Sequence, residues 1–462
     1  MNKNGLEGKY EPQNFEDELY KNWEKKNYFL SSVDYKKEPY TVVMPPPNIT
    51  GVLHMGHAMD NTMQDILIRY KRAKGFNALW VPGIDHAAIA TEAKIVAKLK
   101  EEGTSKEELG REKFLERAWK WKEDYGNTIT TQLRKLGCSC DWSKQRFTMD
   151  EGNNAAVKKV FTDLYNKGLI YKGKRMVNWC SNCGTAISDA EVEFEEEDGH
   201  LWYVNYYSKD KSYYVTVATT RPETMLGDVA VAVNPLDERY KDLIGKTVVL
   251  PIMNKEIPLI ADEFVEMEFG TGAVKITPAH DENDYNAGLK HGLDIIRVFD
   301  DDGKMLGLVK EYEGMDIITA RKAIVERLEK DGNLIKVEDY KHNVGKCQRC
   351  HHTIEPKIST QWFVKMKPLA EPAIKVVKDG EVKFVPERFS KIYYNWMENI
   401  QDWCISRQLW WGHRIPAYYC DKCGEIHVGD APSKCKKCGN TTFTQDSDTL
   451  DTWFSSALWP FS

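Results

Sequence analysis

Three features that would place a chain in a functional class at once are missing from these 462 residues. No stretch approaches the roughly 18 consecutive apolar residues of a membrane span. The opening sequence, MNKNGLEGKYEPQNFEDELYKNW, lacks the apolar centre of a secretory signal peptide. The charge is nearly balanced, at −6 from 64 basic and 70 acidic residues, which argues against a protein that coats nucleic acid non-specifically but leaves room for a local basic groove. We therefore expect a cytoplasmic protein of about three domains with no membrane association.

Cysteine, by contrast, is present in an informative pattern. Eight of the 11 cysteines form four C-x-x-C pairs, namely Cys180/Cys183, Cys347/Cys350, Cys420/Cys423 and Cys435/Cys438. In a reducing compartment this spacing indicates zinc rather than disulfides. The last two pairs are close enough in sequence to share one ion, and the first two would share another. Because four thiolates leave no open coordination position, we predict two structural Zn²⁺ ions, with His351 and His352 as competing ligands at the first site.

The N-terminal region alternates the signals of strands and helices. The run Tyr40–Met44 predicts a strand, PPPNITG a loop, and residues 53–74 a helix. FNALWVPG predicts a second strand, and a second helix follows from DHAAIATE. This alternation favours a parallel sheet of the Rossmann-like type, in which ligands bind at the carboxyl ends of the strands. The segments PPPN and PGIDH both stand at such ends.

A histidine pair marks the start of the first predicted helix. His54 and His57 are three residues apart and therefore share one face. A helix N-terminus attracts anions, and Gly56 between the histidines allows a ligand to approach the backbone closely. Taken alone, the pair is better explained as a metal site on a helix or as a chance pair of surface histidines.

The pattern of predicted secondary structure changes between residues 196 and 340. Short β-rich runs such as SYYVTVATT, VAVAVNP and GAVKITPAH alternate with turn residues, and ITARKAIVERLEKDG predicts a helix. We expect an inserted β-rich domain at 196–340. Residues 1–195 would then be the first part of an α/β domain. Residues 341–462 would contain a zinc knuckle and a further, incomplete part of the same α/β domain.

Several long blocks carry a family resemblance. In chain order they are PPPNITGVLHMGHA, LWVPGIDHAAIATE, TTRPETMLGDVAVAVNP, GTGAVKITPAHDENDYNAG, WCISRQLWWGHRIPAYYC and DTLDTWFSSALWP. Together they resemble the class I aminoacyl-tRNA synthetases, and the proline-rich form is that of the valyl-tRNA synthetases. The resemblance implies activation of valine by ATP with Mg²⁺ and transfer to tRNA(Val). We expect such a protein to be monomeric.

The resemblance also implies roles for individual residues. His54, Gly56 and His57 would face the ATP phosphates. The valine pocket would be formed by Pro46, Pro47, Asn48, Asp85 and Trp453, with Asp85 holding the ammonium group. Threonine has nearly the shape of valine, so an apolar pocket rejects it only weakly. The inserted domain would therefore hydrolyse threonyl-tRNA(Val). That editing site would comprise Thr219, Arg221, Thr224, Lys275, Thr277, Asp281 and Asp284. Among these, Asp284 would anchor the substrate ammonium, and Lys275 and Asp281 would recognise the hydroxyl.

The chain departs from the family pattern in one respect. It contains no lysine-rich KMSKS loop, and neither the rest of the nucleotide-binding fold nor a helical anticodon-binding domain follows Trp453. We therefore expect the N-terminal half of a synthetase, deficient in activating valine. Two alternatives stay open at this point: a fragment of isoleucyl or leucyl type, and a non-catalytic zinc-containing protein that binds tRNA.

Overall fold

The structure, a computed structural model, describes residues 10–462. Within this range the helices, in chain order, are Glu16–Lys25 (α1), Met55–Ala73 (α2), Ala88–Glu101 (α3), Lys106–Leu109 (α4), Arg111–Lys135 (α5), Glu151–Asn166 (α6), Glu282–His291 (α7), Ile317–Lys330 (α8), Lys367–Lys378 (α9), Phe389–Glu398 (α10) and Thr452–Ser456 (α11).

The strands of the same range are Pro39–Val43 (β1), Asn77–Val81 (β2), Gly83–Ile84 (β3), Arg146–Phe147 (β4), Ile170–Cys180 (β5), Thr185–Ile187 (β6), Val192–Tyr207 (β7), Tyr214–Thr219 (β8), Ala230–Val233 (β9), Thr247–Leu250 (β10), Lys255–Ala261 (β11), Ala273–Ile276 (β12), Leu334–Cys347 (β13), Glu355–Val364 (β14), Trp403–Cys404 (β15), Ser406–Arg407 (β16), Ala417–Cys420 (β17), Ile426–Val428 (β18), Phe443–Gln445 (β19) and Thr449–Leu450 (β20). None of the helices within residues 10–462 combines the length and the apolarity needed to cross a membrane.

The chain divides into two compact units. Unit 1 is the described part of Met1–Gly168 together with Ser406–Ser462, and unit 2 is Leu169–Ile405. Both contain helices and sheets, so the fold is mixed α/β. Unit 2 is wider than the insertion expected from the sequence, because it also includes the strands on either side of residues 196–340.

Unit 1 contains the expected β–α–β arrangement. Strands β1 and β2 pair in parallel, with Tyr40 opposite Ala78 and Val43 opposite Val81. Helix α2 connects them, which confirms the strand, helix and strand predicted from hydrophobic periodicity. The core beneath is formed by large apolar side chains, among them Met44, Trp80, Phe114 and Trp411. This packing fixes the carboxyl ends of β1 and β2, where the PPPN and PGIDH segments begin.

Unit 2 is built around a long antiparallel ribbon. Strand β7 pairs with β13 from Val192 opposite Cys347 to Val204 opposite Leu334. The predicted boundaries at 196 and 340 fall inside this ribbon, because Glu196 pairs with Asn343. Beyond it lies a four-stranded sheet in the order β10–β11–β9–β12, and the predicted helix ITARKAIVERLEKDG is α8. A shared core of valines, leucines and aromatics from these elements holds the region together.

Candidate functional site

Two loops meet at the carboxyl ends of β1 and β2. The N–H of Asp85 donates to the carbonyl of Pro47 at 2.8 Å, and the N–H of Ile49 donates to the carbonyl of Asp85 at 3.0 Å. Asn48 and Asp85 thus form a parallel bridge that extends the sheet by one step. Pro47 is buried, Pro46 half-buried and Asn48 exposed. Four of the five residues expected at the valine pocket therefore lie in two adjoining segments.

The Asp85 carboxylate is buried and held by several donors. Its Oδ1 accepts from the Ala87 N–H and the Thr148 hydroxyl, each at 3.1 Å, and lies 3.1 Å from Nδ1 of His86. Its Oδ2 accepts from the Ser456 hydroxyl at 3.2 Å. Burial by itself would raise the pKa of Asp85, but His86 and these hydrogen bonds outweigh burial and hold the pKa below its usual value. An ionised carboxylate of this kind can bind an ammonium group.

Helix α11 lies beside this carboxylate. Its Thr452 hydroxyl accepts from the Ala88 N–H at 2.9 Å, and Ser456 one turn later reaches Asp85. Trp453 lies on the same helix, but its side chain is 54% exposed. Trp453 thus stands on the helix that reaches Asp85, with about half of its surface open to solvent.

The segment after α11 also lies against the strand ends. The Trp459 indole donates to the carbonyl of Met44 at 3.0 Å. A Cβ at Gly83 would come within 2.2 Å of the Trp459 ring, so only glycine allows this approach.

The two histidines cap the first turn of α2. The N–H of Gly56 donates to Nδ1 of His54 at 3.1 Å, and the N–H of His54 donates to Nδ1 of His57 at 3.2 Å. A neutral imidazole that accepts at Nδ1 carries its proton on Nε2. Partial burial, together with the neighbouring His54 ring, lowers the pKa of His57, which favours its neutral form. The ring centroids are 4.0 Å apart, so the pair presents two Nε2–H donors side by side.

Gly56 serves this cap in a way that the sequence does not reveal. A Cβ at Gly56 would lie 2.9 Å from Cε1 of His54. The space expected to admit a ligand to the Gly56 backbone is therefore occupied by the His54 ring. Two of the N–H groups of the first turn are likewise engaged by imidazoles, so an anion here would meet Nε2–H donors.

Unit 2 contains a buried polar cluster between β12 and α7. The Lys275 ammonium donates to the Thr277 hydroxyl at 2.5 Å and to Asp228 Oδ1 at 3.3 Å. The Thr277 hydroxyl donates to the same Oδ1 at 2.6 Å, and the Tyr206 hydroxyl donates to Asp228 Oδ2 at 2.7 Å. The Thr277 N–H donates to Oδ2 of Asp284 at 2.8 Å. Three residues expected at the editing site therefore share one hydrogen-bond network.

Asp284 and Asp281 differ in burial and in the hydrogen bonds that they accept. Asp284 is buried, and this burial raises its pKa to about 7, with Asp281 adding to the rise and Lys275 opposing it. Asp281 is exposed, and its Oδ1 accepts from the N–H groups of Asn283 and Asp284 at 2.8 and 3.1 Å. Asp281 is thus the N-cap of α7. Asp281 was expected to contact the threonine hydroxyl. Because its Oδ1 caps the helix, that contact would have to use Oδ2.

The remaining expected editing residues surround Arg221. The Arg221 guanidinium forms ion pairs with Glu223 and Glu355 and donates to the carbonyl of His280 at 3.3 Å. The Thr219 hydroxyl accepts from the Arg221 N–H at 3.0 Å, and the Thr224 hydroxyl donates to the Arg221 carbonyl at 2.9 Å. These two threonines shape the turn around the arginine, while the carboxylates fix its side chain. His280 ends the turn before α7, and its N–H donates to the carbonyl of Thr277 at 3.0 Å. Arg221 is therefore linked through His280 to the polar cluster.

Sequence reasoning missed three residues of these networks. Asp228 and Glu223 are fully buried, and Glu355 neutralises Arg221 from β14. The first two stand within TTRPETMLGDVAVAVNP, the block that also contains Thr219, Arg221 and Thr224 of the expected editing site. Acidic residues inside an apolar run are a usable signal, because a buried carboxylate requires partners. No local signal marks Glu355, whose partner is far away in sequence.

We predict that Asp228→Ala destabilises the chain strongly. The variant leaves the buried Lys275 ammonium without its carboxylate, a loss that typically costs about 3–5 kcal/mol. Urea denaturation of the 462-residue chain measures it. The matched control is Asp302→Ala, an exposed aspartate of the same unit, which should change stability by about 0.5 kcal/mol or less. A loss below about 1 kcal/mol for Asp228→Ala would contradict the account of this cluster.

The eight paired cysteines form two clusters. Cys180, Cys183, Cys347 and Cys350 make one and Cys420, Cys423, Cys435 and Cys438 the other, with all sulfurs of a cluster within 4.8 Å of one another. The closest sulfurs are 3.4 to 3.7 Å apart and none is bonded as a disulfide. Four sulfurs at about 2.3 Å from a tetrahedral ion would be separated by about 3.8 Å. The clusters therefore fit Zn²⁺, one within each unit.

The backbone around the clusters supports the same interpretation. Each C-x-x-C pair is followed by a residue with positive φ: Gly184 at 62°, His351 at 56°, Gly424 at 70° and Gly439 at 74°. This left-handed step bends the chain around the pair of sulfurs. At the first site, the ligand group found in the described part of the chain consists of four cysteines. His351 is the positive-φ residue of the turn and is not a member of that group, so the structure does not support the expectation that it competes for the metal.

Residues 18–462 match the family model for tRNA synthetases class I (I, L, M and V). Valine–tRNA ligases of Carboxydothermus hydrogenoformans and Clostridium tetani are 62% and 60% identical, each over 98% of this chain and 52% of the relative. That of Thermotoga maritima is 54% identical over 99% of this chain and 53% of the relative. The chain thus spans about half the length of these curated relatives.

A solved structure is also similar. It is a ternary complex of Agrobacterium radiobacter K84 LeuRS, tRNA and LeuAMS, 19% identical, covering 98% of this chain and 60% of that one, at a TM-score of 0.48. This weak likeness adds no argument to the family match, which extends over nearly the whole chain. The chain therefore belongs to the class I tRNA synthetase family.

Proposed function

We propose that the chain is part of a valine–tRNA ligase that activates valine with ATP, transfers it to tRNA(Val) and hydrolyses threonyl-tRNA(Val). The observation that carries this proposal is the identity of 54 to 62% to valine–tRNA ligases over almost the whole chain. At such identity, substrates are expected to agree as well as fold. The two zinc ions of the proposal are structural, because each cluster offers four thiolates and no open position.

In unit 1 the activation step would be organised at the strand ends. The valine carboxylate attacks the α-phosphate of ATP, giving valyl-adenylate and releasing pyrophosphate. The contribution of the protein is to position the reactants and to offset charge on the phosphates. Asp85 would hold the valine ammonium, and the Nε2–H groups of His54 and His57 would donate to phosphate oxygens. Pro46, Pro47, Asn48 and Trp453 would surround the side chain, with the Trp453 ring moving over the loop when valine binds.

In unit 2 the editing step would be organised by the buried polar cluster. Water attacks the ester carbonyl of threonyl-tRNA(Val), and the bond to the ribose oxygen breaks, giving threonine and free tRNA(Val). Asp284 in its ionised form would bind the threonine ammonium. Lys275 and Thr277 lie on the adjacent strand and would recognise the hydroxyl. Valine has no hydroxyl that could bond to these groups, so its binding gains less than that of threonine.

We expect the 462-residue chain to activate valine poorly. The sequence contains no lysine-rich KMSKS loop that could hold the phosphates opposite His54 and His57. Valine-dependent exchange of pyrophosphate into ATP measures this activity, with the complete Carboxydothermus hydrogenoformans relative as the positive control. Exchange by the chain at a rate within tenfold of that relative would contradict the expectation.

A panel of charged tRNAs tests which ligase the chain belongs to. The proposal predicts hydrolysis of threonyl-tRNA(Val) and no hydrolysis of valyl-tRNA(Ile). A chain of isoleucyl type would do the reverse, because its own near-cognate amino acid is valine. Binding of tRNA without hydrolysis of any ester in the panel would favour the non-catalytic alternative.

A further inference from the structure

Four buried or half-buried side chains of alternating charge form a continuous row in unit 2. In order they are Arg321, Glu223, Arg221 and Glu355, and we call them the ion-pair row. Arg321 binds both oxygens of Glu223, with Nε 2.7 Å from Oε2 and Nη2 2.9 Å from Oε1. Arg221 Nε lies 3.3 Å from the same Oε1, whereas its Nη2 pairs directly with Glu355. Glu355 is therefore the closer carboxylate partner of Arg221.

The third nitrogen of the Arg221 guanidinium reaches the loop that joins β12 to α7. Its Nη1 donates to the carbonyl of His280 at 3.3 Å. His280 is buried, and its own N–H donates to the carbonyl of Thr277 at 3.0 Å. This β12–α7 loop, residues 277–281, leads directly to Asp284 on α7. Arg221 thus holds the backbone of a segment that contains or adjoins residues expected at the editing site.

Glu355 reaches this arginine from outside the inserted region expected at 196–340. It is the first residue of β14 and pairs with Trp179 of β5. The N–H of the preceding residue, Ile354, donates to the carbonyl of Gly345 at 2.9 Å, which ties the same point to β13. Because two neighbouring strands fix its backbone, the Glu355 carboxylate is a firm anchor for the guanidinium.

The charges of the ion-pair row cancel, which favours a positioning role over direct binding of an anion. Two guanidinium groups face two carboxylates, so the row offers no net positive charge to a tRNA phosphate. Relative to apolar packing, a buried ion pair adds little stability, but it can fix one arrangement of the groups that it joins. The row is therefore suited to hold Arg221 in one orientation.

We propose that Glu355 is a positioning residue for the editing reaction: it fixes Arg221, and Arg221 in turn holds the β12–α7 loop. This inference deepens the proposed editing function and rests on it. Groups that recognise an ammonium and a hydroxyl must be held to within about 0.5 Å. Without the Glu355 carboxylate, Arg221 would retain only the longer contact to Glu223, and its hydrogen bond to the His280 carbonyl would weaken. The loop and the start of α7 would then be held less firmly.

The kinetics of hydrolysis test the proposal. Glu355→Gln preserves the size of the side chain and one accepting oxygen but removes the charge. We expect kcat/KM for threonyl-tRNA(Val) to fall at least tenfold, and its ratio to kcat/KM for valyl-tRNA(Val) to fall at least fivefold. Glu355→Asp keeps the charge and should retain at least threefold more activity than Glu355→Gln. The matched control is Glu338→Gln, because Glu338 on β13 pairs with Lys336 at the surface of the same unit; it should change both values less than twofold.

A double-mutant cycle shows whether Glu355 acts through Arg221. Arg221→Lys keeps a positive charge but loses the planar fork that bonds to several partners at once. If the two residues act as one unit, adding Glu355→Gln to Arg221→Lys should lower kcat/KM less than twofold further. Independent, multiplicative losses would overturn the proposal. A slower Glu355→Gln chain with an unchanged threonine-to-valine ratio would also overturn it, because such a chain has lost stability alone.

Hydrogen exchange tests the positioning without any activity. In Glu355→Gln, peptides covering residues 275–285 should exchange at least threefold faster, whereas peptides covering β10 and β11 should be unchanged. Unchanged exchange at 275–285 would overturn the proposal. If the unmodified chain hydrolyses neither ester, the proposed editing function fails, and this measurement still decides whether Glu355 holds the β12–α7 loop.

Discussion

Replacing Asp284 with asparagine is expected to slow hydrolysis of threonyl-tRNA(Val) by the 462-residue chain roughly 10- to 100-fold, the range for losing a hydrogen bond to a charged group. The proposed role of Asp284 is to hold the substrate ammonium as an ionised carboxylate. Asparagine keeps the size of the side chain and can still accept from the Thr277 N–H, but it carries no charge. The matched control is Glu282→Ala, an exposed acid in the first turn of the same helix, which should leave the rate unchanged.

The pKa of Asp284 separates this functional effect from a structural one. In the folded chain burial raises the pKa to about 7, whereas an unfolded aspartate titrates near 3.9. The folded state therefore holds the proton more tightly. Consequently, this group lowers the free energy of unfolding progressively as pH rises from about 4 to about 7. Asparagine removes that penalty, so Asp284→Asn should be more stable than the unmodified chain at pH 8, by up to about 4 kcal/mol.

The same titration sets the pH dependence of hydrolysis. Because only the ionised carboxylate binds an ammonium group, hydrolysis by the unmodified chain should rise as pH increases through about 7. The residual rate of Asp284→Asn should lack this rise. A variant that melts higher and hydrolyses threonyl-tRNA(Val) normally would show that Asp284 is not the anchor.

Replacing Cys347 with serine is expected to reduce bound zinc from two ions per chain to one and to destabilise unit 2 by about 3 kcal/mol or more. In zinc-dependent peptides the binding energy of the ion is folding energy, on the order of 10 kcal/mol. Cys347 stands at the base of the β7–β13 ribbon, opposite Val192, and shares its cluster with Cys180 at the end of β5. The ion would therefore join the strand entering this part of unit 2 to the strand leaving it.

Metal analysis by plasma mass spectrometry and thermal melting measure the two effects together. Cys404→Ala is the matched control, since Cys404 is a buried cysteine of the same unit outside the cluster. It should retain two zinc ions per chain. Two ions in Cys347→Ser, or an unmodified chain that contains none after expression with zinc, would contradict the assignment of the clusters.

The sequence predicted those parts of the molecule in which local pattern determines structure. Periodicity placed α2 at 53–74, and it runs from Met55 to Ala73. The C-x-x-C spacing predicted both cysteine clusters, because two ligands on one tight turn are encoded locally. The segment PGIDH was expected at a strand end, and Asp85 is there, bridged to Asn48.

Partners that are distant in sequence could not be predicted in this way. Glu355 was missed because its ion pair with Arg221 depends on how β14 folds back. The position of the His54 ring over Gly56 was missed for a similar reason, since spacing gives a shared face but no ring orientation.

The most direct test of the account is the ratio of kcat/KM for hydrolysis of threonyl-tRNA(Val) to that for valyl-tRNA(Val), measured with the 462-residue chain. A ratio of at least about 100 is expected, because valine lacks the hydroxyl that Lys275 and Thr277 would bind, a difference of about 3 kcal/mol for a hydrogen bond to a charged group. Equal hydrolysis of the two esters, or hydrolysis of neither, would contradict it.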